Sequence, residues 1–198
     1  MALKRGTEIP TIDVALVTIK PKEGDEIALD TASTVEIEPQ IEETDAVQLI
    51  IKGVLKAQKP KISTLTGNQI TLTDNVFTPE LVKILQGGTL KYWTSAERTS
   101  SNTTPTEFGI AGYTPPVVGA KVEREVFTLN MYSAQYDAAG SIVQYEKISY
   151  PNCTGTPVAF GSEDDVFRAP EYVINSAAAK GEPPYTIDYL KELPVISG

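Results

Sequence analysis

The chain has 198 residues, with 26 acidic and 17 basic side chains, a net charge of −9, one cysteine and no histidine. That length suits one domain and is short for two. A lone cysteine excludes an internal disulfide framework, and without histidine neither a zinc or copper constellation nor a Ser–His–Asp or Cys–His nucleophilic arrangement can be assembled.

Threonine, isoleucine and valine number 22, 17 and 16. This β-branched excess favours pleated sheet over helix, because such side chains are stiff at χ1 and pack well on a strand. No apolar run reaches the ~18 residues that would cross a bilayer. The N-terminal Met1–Gly6 is charged but leads into Thr7-Glu8, where the apolar core of a secretion signal would begin, so the expected setting is a cytoplasm. Charge is uneven: residues 1–50 carry −7, residues 51–150 carry +2 and the last 48 carry −4. An acidic surface of this kind aids solubility and disfavours binding to nucleic-acid phosphates.

In chain order, residues 1–10 show no period and are read as a possible arm. Thr11–Lys20 reads as a strand apolar on both faces, with Ile12, Val14 and Leu16 opposing Ala15, Val17 and Ile19. Thr34–Glu38 alternates and is expected to stop at Pro39. Val47–Ala57 reads as one long strand with Gly53 at a bulge or bend. Two strands follow, Lys61–Thr66 and Gln69–Asn75. A short helix is predicted over 79–86: Thr78 can cap it, Pro79 suits its first position, Glu80 complements the dipole, and Leu81, Ile84 and Leu85 form one apolar stripe before Gly87-Gly88.

Thr89–Ala96 returns to strand. Residues 98–119 are dense in Ser, Thr, Asn, Pro and Gly and read as a long projecting loop, because structureless stretches of this length are usually functional or disordered. A hairpin comes next, with arms Lys121–Gln135 and Ser141–Tyr150 around the turn residues Asp137–Gly140. A last strand, Glu171–Ala177, leads into a C-terminal arm over 178–198. Its apolar part, Tyr185, Ile187, Tyr189 and Leu190, is expected to dock on the parent domain or on a neighbour.

Few residues offer chemistry. Glu42-Glu43-Asp45 and Glu163-Asp164-Asp165 lack the alternating spacing that wraps a calcium ion and read as solvated loops. Cys153 has no cationic neighbour or helix N-terminus to make it a thiolate. Trp93 beside Tyr92 reads as a core or interface aromatic ahead of a sugar-stacking platform. No phosphate-binding glycine loop opens a helix. No catalytic residue, cofactor, metal or membrane segment is expected.

Two segments, Thr73–Leu81 running on to Gly87-Gly88, and Phe167 through Pro170–Ile174, Gly181–Pro184 and Ile187–Leu190, together resemble the major tail (tail-tube) proteins of tailed bacteriophages over roughly residues 66–193. The resemblance implies a mostly β, sandwich- or barrel-like subunit with one flanking helix, a long loop and terminal arms. It implies six copies closing into a ring, and rings stacking into the conduit for DNA delivery within the virion tail, assembled in the host bacterial cytoplasm. Implied partners are other copies of the chain, the tape-measure protein, the tail terminator and distal tail or baseplate proteins, with DNA as a transient, non-specific cargo. Candidate inter-ring contacts are Tyr113, Pro115, Pro116, Val117 and Val118, for which a flexible surface loop is the competing reading. Candidate channel-lining carboxylates are Glu36, Glu38, Glu123 and Glu125. The alternatives are a β-sandwich binding module, an adhesin or carbohydrate-binding domain, and the tube protein of a contractile phage-tail-like particle.

Overall fold

The computed structural model describes residues 10–94, 109–122, 124–161, 164–166 and 168–196. Among them, twelve strands and one helix follow in order: β1 Thr11–Pro21, β2 Ile27–Leu29, β3 Ala32–Thr44, β4 Val47–Ile51, β5 Val54–Lys59, β6 Ile62–Asp74, α1 Pro79–Gln86, β7 Thr89–Tyr92, β8 Ile110–Thr114, β9 Phe127–Tyr136, β10 Ile142–Gly155, β11 Glu171–Ala177 and β12 Thr186–Leu190. The fold is mostly β, antiparallel and sandwich-like.

The main sheet runs β2-β1-β9-β10-β11-β6-β3. It folds over at β10, whose edge is shared. Tyr145–Ser149 of β10 pair with β12, while Cys153–Gly155 pair with β11. A register shift against β9 falls between Tyr150 and Cys153, and Asn152 there has φ of 51°. Such a bulge adds local twist and lets one strand serve two leaves. The leaves then face each other across a core of Val17, Ile19, Leu129 and Tyr150 on one side and Ile70, Leu72, Tyr172 and Ile174 on the other.

The helix closes this core with Leu81, Val82, Ile84 and Leu85, all buried. It has the predicted bounds, and Gly87 follows at φ 77° with its N–H donating to the Lys83 carbonyl at 2.8 Å. Thr78 is the N-cap residue but its hydroxyl makes no cap bond. Helix and sheet meet closely at Gly155, where any Cβ would collide with Leu85.

Several strands differ from expectation, each for a local reason. β3 runs straight through Pro39, which sits opposite Asn68. β3 is the end strand of its sheet, and proline is tolerated where its missing N–H would face outward. The two strands expected over Lys61–Thr66 and Gln69–Asn75 are one, β6, passing through Gly67. That glycine is needed for clearance, because a Cβ there would strike the Ser176 carbonyl of β11. β1 is bulged between Ile12 and Leu16, with Asp13 at φ 64°. Val14 therefore packs against the core cluster, while Leu16 is buried outside it. β9 starts at Phe127 rather than Lys121, and the expected loop over 98–119 contains β8, paired with β7.

Within the core, Asp74 is fully buried. Its Oδ1 accepts hydrogen bonds from the Thr31 hydroxyl at 2.5 Å and the Val76 N–H at 3.3 Å, which ties the β2–β3 turn to the segment entering the helix.

Gly155→Ala should lower the unfolding free energy by about 1–3 kcal/mol through overpacking against Leu85. Gly112→Ala, where an added Cβ meets nothing among the described residues, should stay within about 0.5 kcal/mol. Urea denaturation of both variants measures the difference; equal midpoints would remove the close helix–sheet contact from this account.

Candidate functional site

The most unusual surface is a finger. The β3–β6 ladder extends from Ala32 opposite Asp74 to Thr44 opposite Ile62, but burial on β6 ends at Gly67. Beyond that point Ile41, Ile62 and Leu65 are exposed, and the chain continues into the β4–β5 hairpin, in which every residue is exposed. The stretch expected as one strand over Val47–Ala57 is this hairpin. Lys52 and Gly53 form its two-residue turn, both with positive φ (50° and 78°), the geometry that matches the twist of paired strands. Gly53 is thus a turn residue and not a bulge.

Register fixes what each face of the hairpin carries. Leu49 lies opposite Ala57 and Ile51 opposite Val54, while Ile50 lies opposite Leu55. Alternation therefore puts Val47, Leu49, Ile51, Val54 and Ala57 on one face, and Ile50 with Leu55 on the other. Six large apolar side chains here are 48% to 62% exposed. Covering what remains exposed is worth on the order of 5 kcal/mol. Residues 46–73 also contain four lysines and no acidic residue, so the rest of the chain holds all 26 carboxylates against 13 cations. Lys61 pairs with Glu43; Lys52, Lys56 and Lys59 have no carboxylate partner among the described residues.

The expected inter-ring residues divide. Tyr113 is tied down: its hydroxyl donates to the Gly87 carbonyl at 2.6 Å and accepts from the Gln86 amide at 2.9 Å. Pro116 is half-buried and Pro115 exposed, whereas Val117 and Val118 are 80% and 100% exposed. Residues 98–108 of the expected loop lie outside the described residues. Only the two valines and Pro115 present a free surface from this set.

The candidate channel carboxylates also divide. Val35 and Ile37 face the core, so Glu36 and Glu38 lie on the outer face of the β3-β6-β11 leaf. There they join Thr71, opposite Glu36, and Gln69, opposite Glu38, with Glu171 and Asn175 beyond on β11. No Lys or Arg stands on this face of the three paired strands. Glu125 precedes β9 on the other leaf, close to where the Lys22 N–H donates to the Val126 carbonyl at 3.1 Å; Glu123 lies outside the described residues.

The C-terminal arm docks on its own body. Thr186–Leu190 pair with Tyr145–Ser149, and the Tyr185 ring lies 5.8 Å from that of Tyr150. Tyr185, Ile187 and Tyr189 nonetheless keep nearly half their surface exposed, and Leu190 is half-buried.

On the outer face of β1 and β9 a polar cluster is held in place. Asn130 Nδ2 donates to Thr18 Oγ1 and to Glu26 Oε1, each at 3.1 Å. The Thr18 hydroxyl also donates to Glu26, and the Ser149 hydroxyl donates to Asn130 Oδ1 at 2.8 Å. Beside it opens a cleft of about 530 Å³, lined by Leu16, Ala28 and Pro194–Ile196 together with Asp25 and Glu26.

Reactive groups are few and closed off. Cys153 is buried, donates weakly to the Tyr150 carbonyl at 3.2 Å, and burial pushes its thiol up to about 12. Burial likewise raises the Tyr150 and Tyr172 hydroxyls to about 12. Trp93, half-buried, lies just past β7 with its backbone N–H donating to the Gly109 carbonyl at 2.8 Å. Among the described residues no three Asp, Glu or Cys side chains gather in a way that could hold a metal ion.

No protein-family model and no curated protein matches the chain. Among solved structures it is similar to a chain of the cryo-EM structure of the anti-feeding prophage baseplate, 6-fold symmetrised, at 7% identity and a TM-score of 0.32, covering 96% of this chain and 97% of that one. An overlap so slight carries no argument about function.

Cys153, Tyr150 and Tyr172 keep their protons in the fold at pH values where the unfolded chain releases them. Their contribution is fully present below the ordinary values of 9.0 and 10.0 and is lost as pH rises towards about 12. Stability in urea should therefore fall steeply from pH ~9 upward. Iodoacetamide at pH 8 should leave native Cys153 unmodified by mass spectrometry, and rapid labelling would show the thiol to be accessible.

Proposed function

We propose that this chain is a non-enzymatic structural subunit that polymerises with copies of itself, and that the polymer is a bacteriophage tail tube. The finger carries the reading. A two-stranded ribbon is at best marginally stable in water unless something covers it, and this one is apolar on both faces and exposed throughout. Exposed apolar patches of this kind mark contact surfaces. Copies of the same chain are the simplest cover, since a repeated heterologous contact closes into a ring or extends as a stack.

Six copies in a ring would carry −54, from −9 each. The outer face of the β3-β6-β11 leaf supports a channel role for Glu36 and Glu38, because acidic and uncharged polar side chains without cations would let DNA pass without the counterion release that makes it stick. Val117, Val118, Tyr185, Ile187 and Tyr189 are further surfaces available to neighbouring subunits. The tape-measure protein, the tail terminator and distal tail or baseplate proteins would be the other partners, in the virion tail, with DNA as passing cargo.

Replacing residues 45–61 by an Asn-Gly turn closes the ladder at the facing pair Thr44 and Ile62. By light scattering and negative-stain microscopy the full chain should form rings or tubes, and the trimmed chain should stay monomeric, with a far-ultraviolet spectrum that is still that of a β protein and a cooperative thermal transition. A full chain monomeric at every concentration, or trimmed chains polymerising normally, would overturn the reading. In the polymer, Glu36→Lys with Glu38→Lys should leave assembly intact but make tubes retain DNA at low salt, released as salt is raised; tubes that ignore DNA would place these carboxylates elsewhere.

A further inference from the structure

We propose that the cleft beside Asp25 and Glu26 is the receptor for the tip of the β4–β5 hairpin of a second copy of this chain. The inference rests on the self-assembly reading and names the acceptor for the finger.

The two surfaces complement each other in charge and in polarity. The tip presents Ile51 and Val54 around Lys52 and Gly53, with Lys56 behind them, in a stretch without a single carboxylate. The cleft offers apolar walls from Leu16, Ala28 and Pro194–Ile196, and two carboxylates at its rim. Neither Asp25 nor Glu26 has a cationic partner among the described residues. Glu26 is held in place by Asn130 and Thr18, which are themselves 5% and 3% exposed. A carboxylate fixed by charge-assisted hydrogen bonds is preorganised to meet an incoming ammonium. Val195 and Ile196, 94% and 50% exposed, leave apolar surface at the rim for Ile51 and Val54 to cover.

Two other depressions fit less well. One is lined by Lys20 and Lys22 and would repel a lysine tip. The other holds Asp13 and Asp137, but for Ile51 and Val54 to cover it offers Pro10, Ile12 and the Tyr136 ring where the cleft offers Leu16, Ala28 and the Pro194–Ile196 segment. Lys20, two residues along β1 from Thr18, and Lys147, opposite Tyr132, share this outer face; neither is ion-paired with Asp25 or Glu26 among the described residues, and those two carboxylates are the charged groups that line the cleft itself.

The occupant must come from another copy. Every residue of β4 and β5 is exposed and none of them lines the cleft, which lies on β1 and β2 of the body. Tip and cleft are different surfaces, so the contact is head-to-tail, and each subunit gives one tip and takes one.

Charge reversal tests it. Lys52→Glu and Asp25→Lys, each alone, should raise the critical concentration for assembly of the full chain about tenfold or more, since like charges would then face one another. The double variant, or a 1:1 mixture of the two singles, should recover to within about threefold of wild type, because every junction regains an opposite pair. Circular dichroism and thermal melting of each variant as monomer confirm that the fold persists; both positions are exposed. Wild-type-like assembly of Asp25→Lys, or a double variant no better than the singles, overturns this docking site and leaves the polymer itself standing. A wild-type chain that never polymerises overturns both.

Discussion

A ribbon of two strands has two faces, and one chain of this size can cover neither when the ribbon leaves the body. The rest of the molecule follows from that constraint. The body solves its own packing: β1, β9 and β10 on one leaf and β3, β6 and β11 on the other bury Val17, Ile19, Leu129, Ile70, Leu72 and Ile174 between them, and α1 seals the gap with four buried residues. The same β3 and β6 that finish this core then run on past Gly67 into solvent. The β3–β6 ladder carries the pairing from the core as far as Thr44 and Ile62, and the separately paired β4–β5 hairpin continues from there to the tip.

Charge segregation makes association of an acidic chain possible. Copies carrying −9 repel at long range, but screening at physiological salt limits that repulsion to about 8 Å. Contact is decided locally. Lys52, Lys56 and Lys59 with no carboxylate give the β4–β5 hairpin the opposite sign from the chain as a whole, while Glu42, Glu43 and Asp45 keep the finger's base acidic, so hairpin-to-body contacts would attract while hairpin-to-hairpin contacts would repel. That pattern selects head-to-tail pairing and disfavours symmetric dimers. It also leaves the outer face of the β3-β6-β11 leaf acidic and neutral-polar apart from Val173, free of the cations that would hold a polyanion.

What the sequence discloses here depends on whether the deciding interaction is local. The helix over 79–86 was legible because Pro79, Glu80, the Leu81/Ile84/Leu85 stripe and Gly87 all act within two turns. Glu171–Ala177 was legible from alternation between turn residues; Thr186–Leu190, expected only as part of a docking arm, is a strand because it pairs with Tyr145–Ser149. Pro39 and Gly67 misled because each usually interrupts a strand; here an outer edge tolerates the proline, and a close approach to Ser176, 109 positions along the chain, calls for the glycine. Such a reason exists only in three dimensions. The finger was hidden by its own composition. A run as apolar as Val47–Ile51 reads on into Val54–Ala57 as one long strand, and Lys-Gly is a weaker turn signal than Asn-Gly. A ribbon apolar on both faces and exposed on both fits a cover supplied by another molecule. The signal that pointed there was present: twenty-eight residues with lysine as the only charge, in a chain otherwise rich in carboxylates.

Two faces on one ribbon also bear on how a polymer of this chain would grow. A first neighbour can cover the face bearing Val47, Leu49, Ile51 and Val54 while Ile50 and Leu55 stay wet, or the reverse. That contact must order the hairpin, at roughly 1–2 kcal/mol per residue of backbone entropy wherever the ribbon is frayed, against only part of the available burial. A second neighbour meets a ribbon already ordered and adds the remaining apolar area without the ordering term. Successive contacts are then unequal, the later ones being stronger, and growth is nucleated rather than stepwise. A sandwich-like body with its own core, joined to a ribbon without one, has the thermodynamic form this requires: in the proposed polymer each body would keep the fold it has alone, and the ribbon would gain its cover from neighbours.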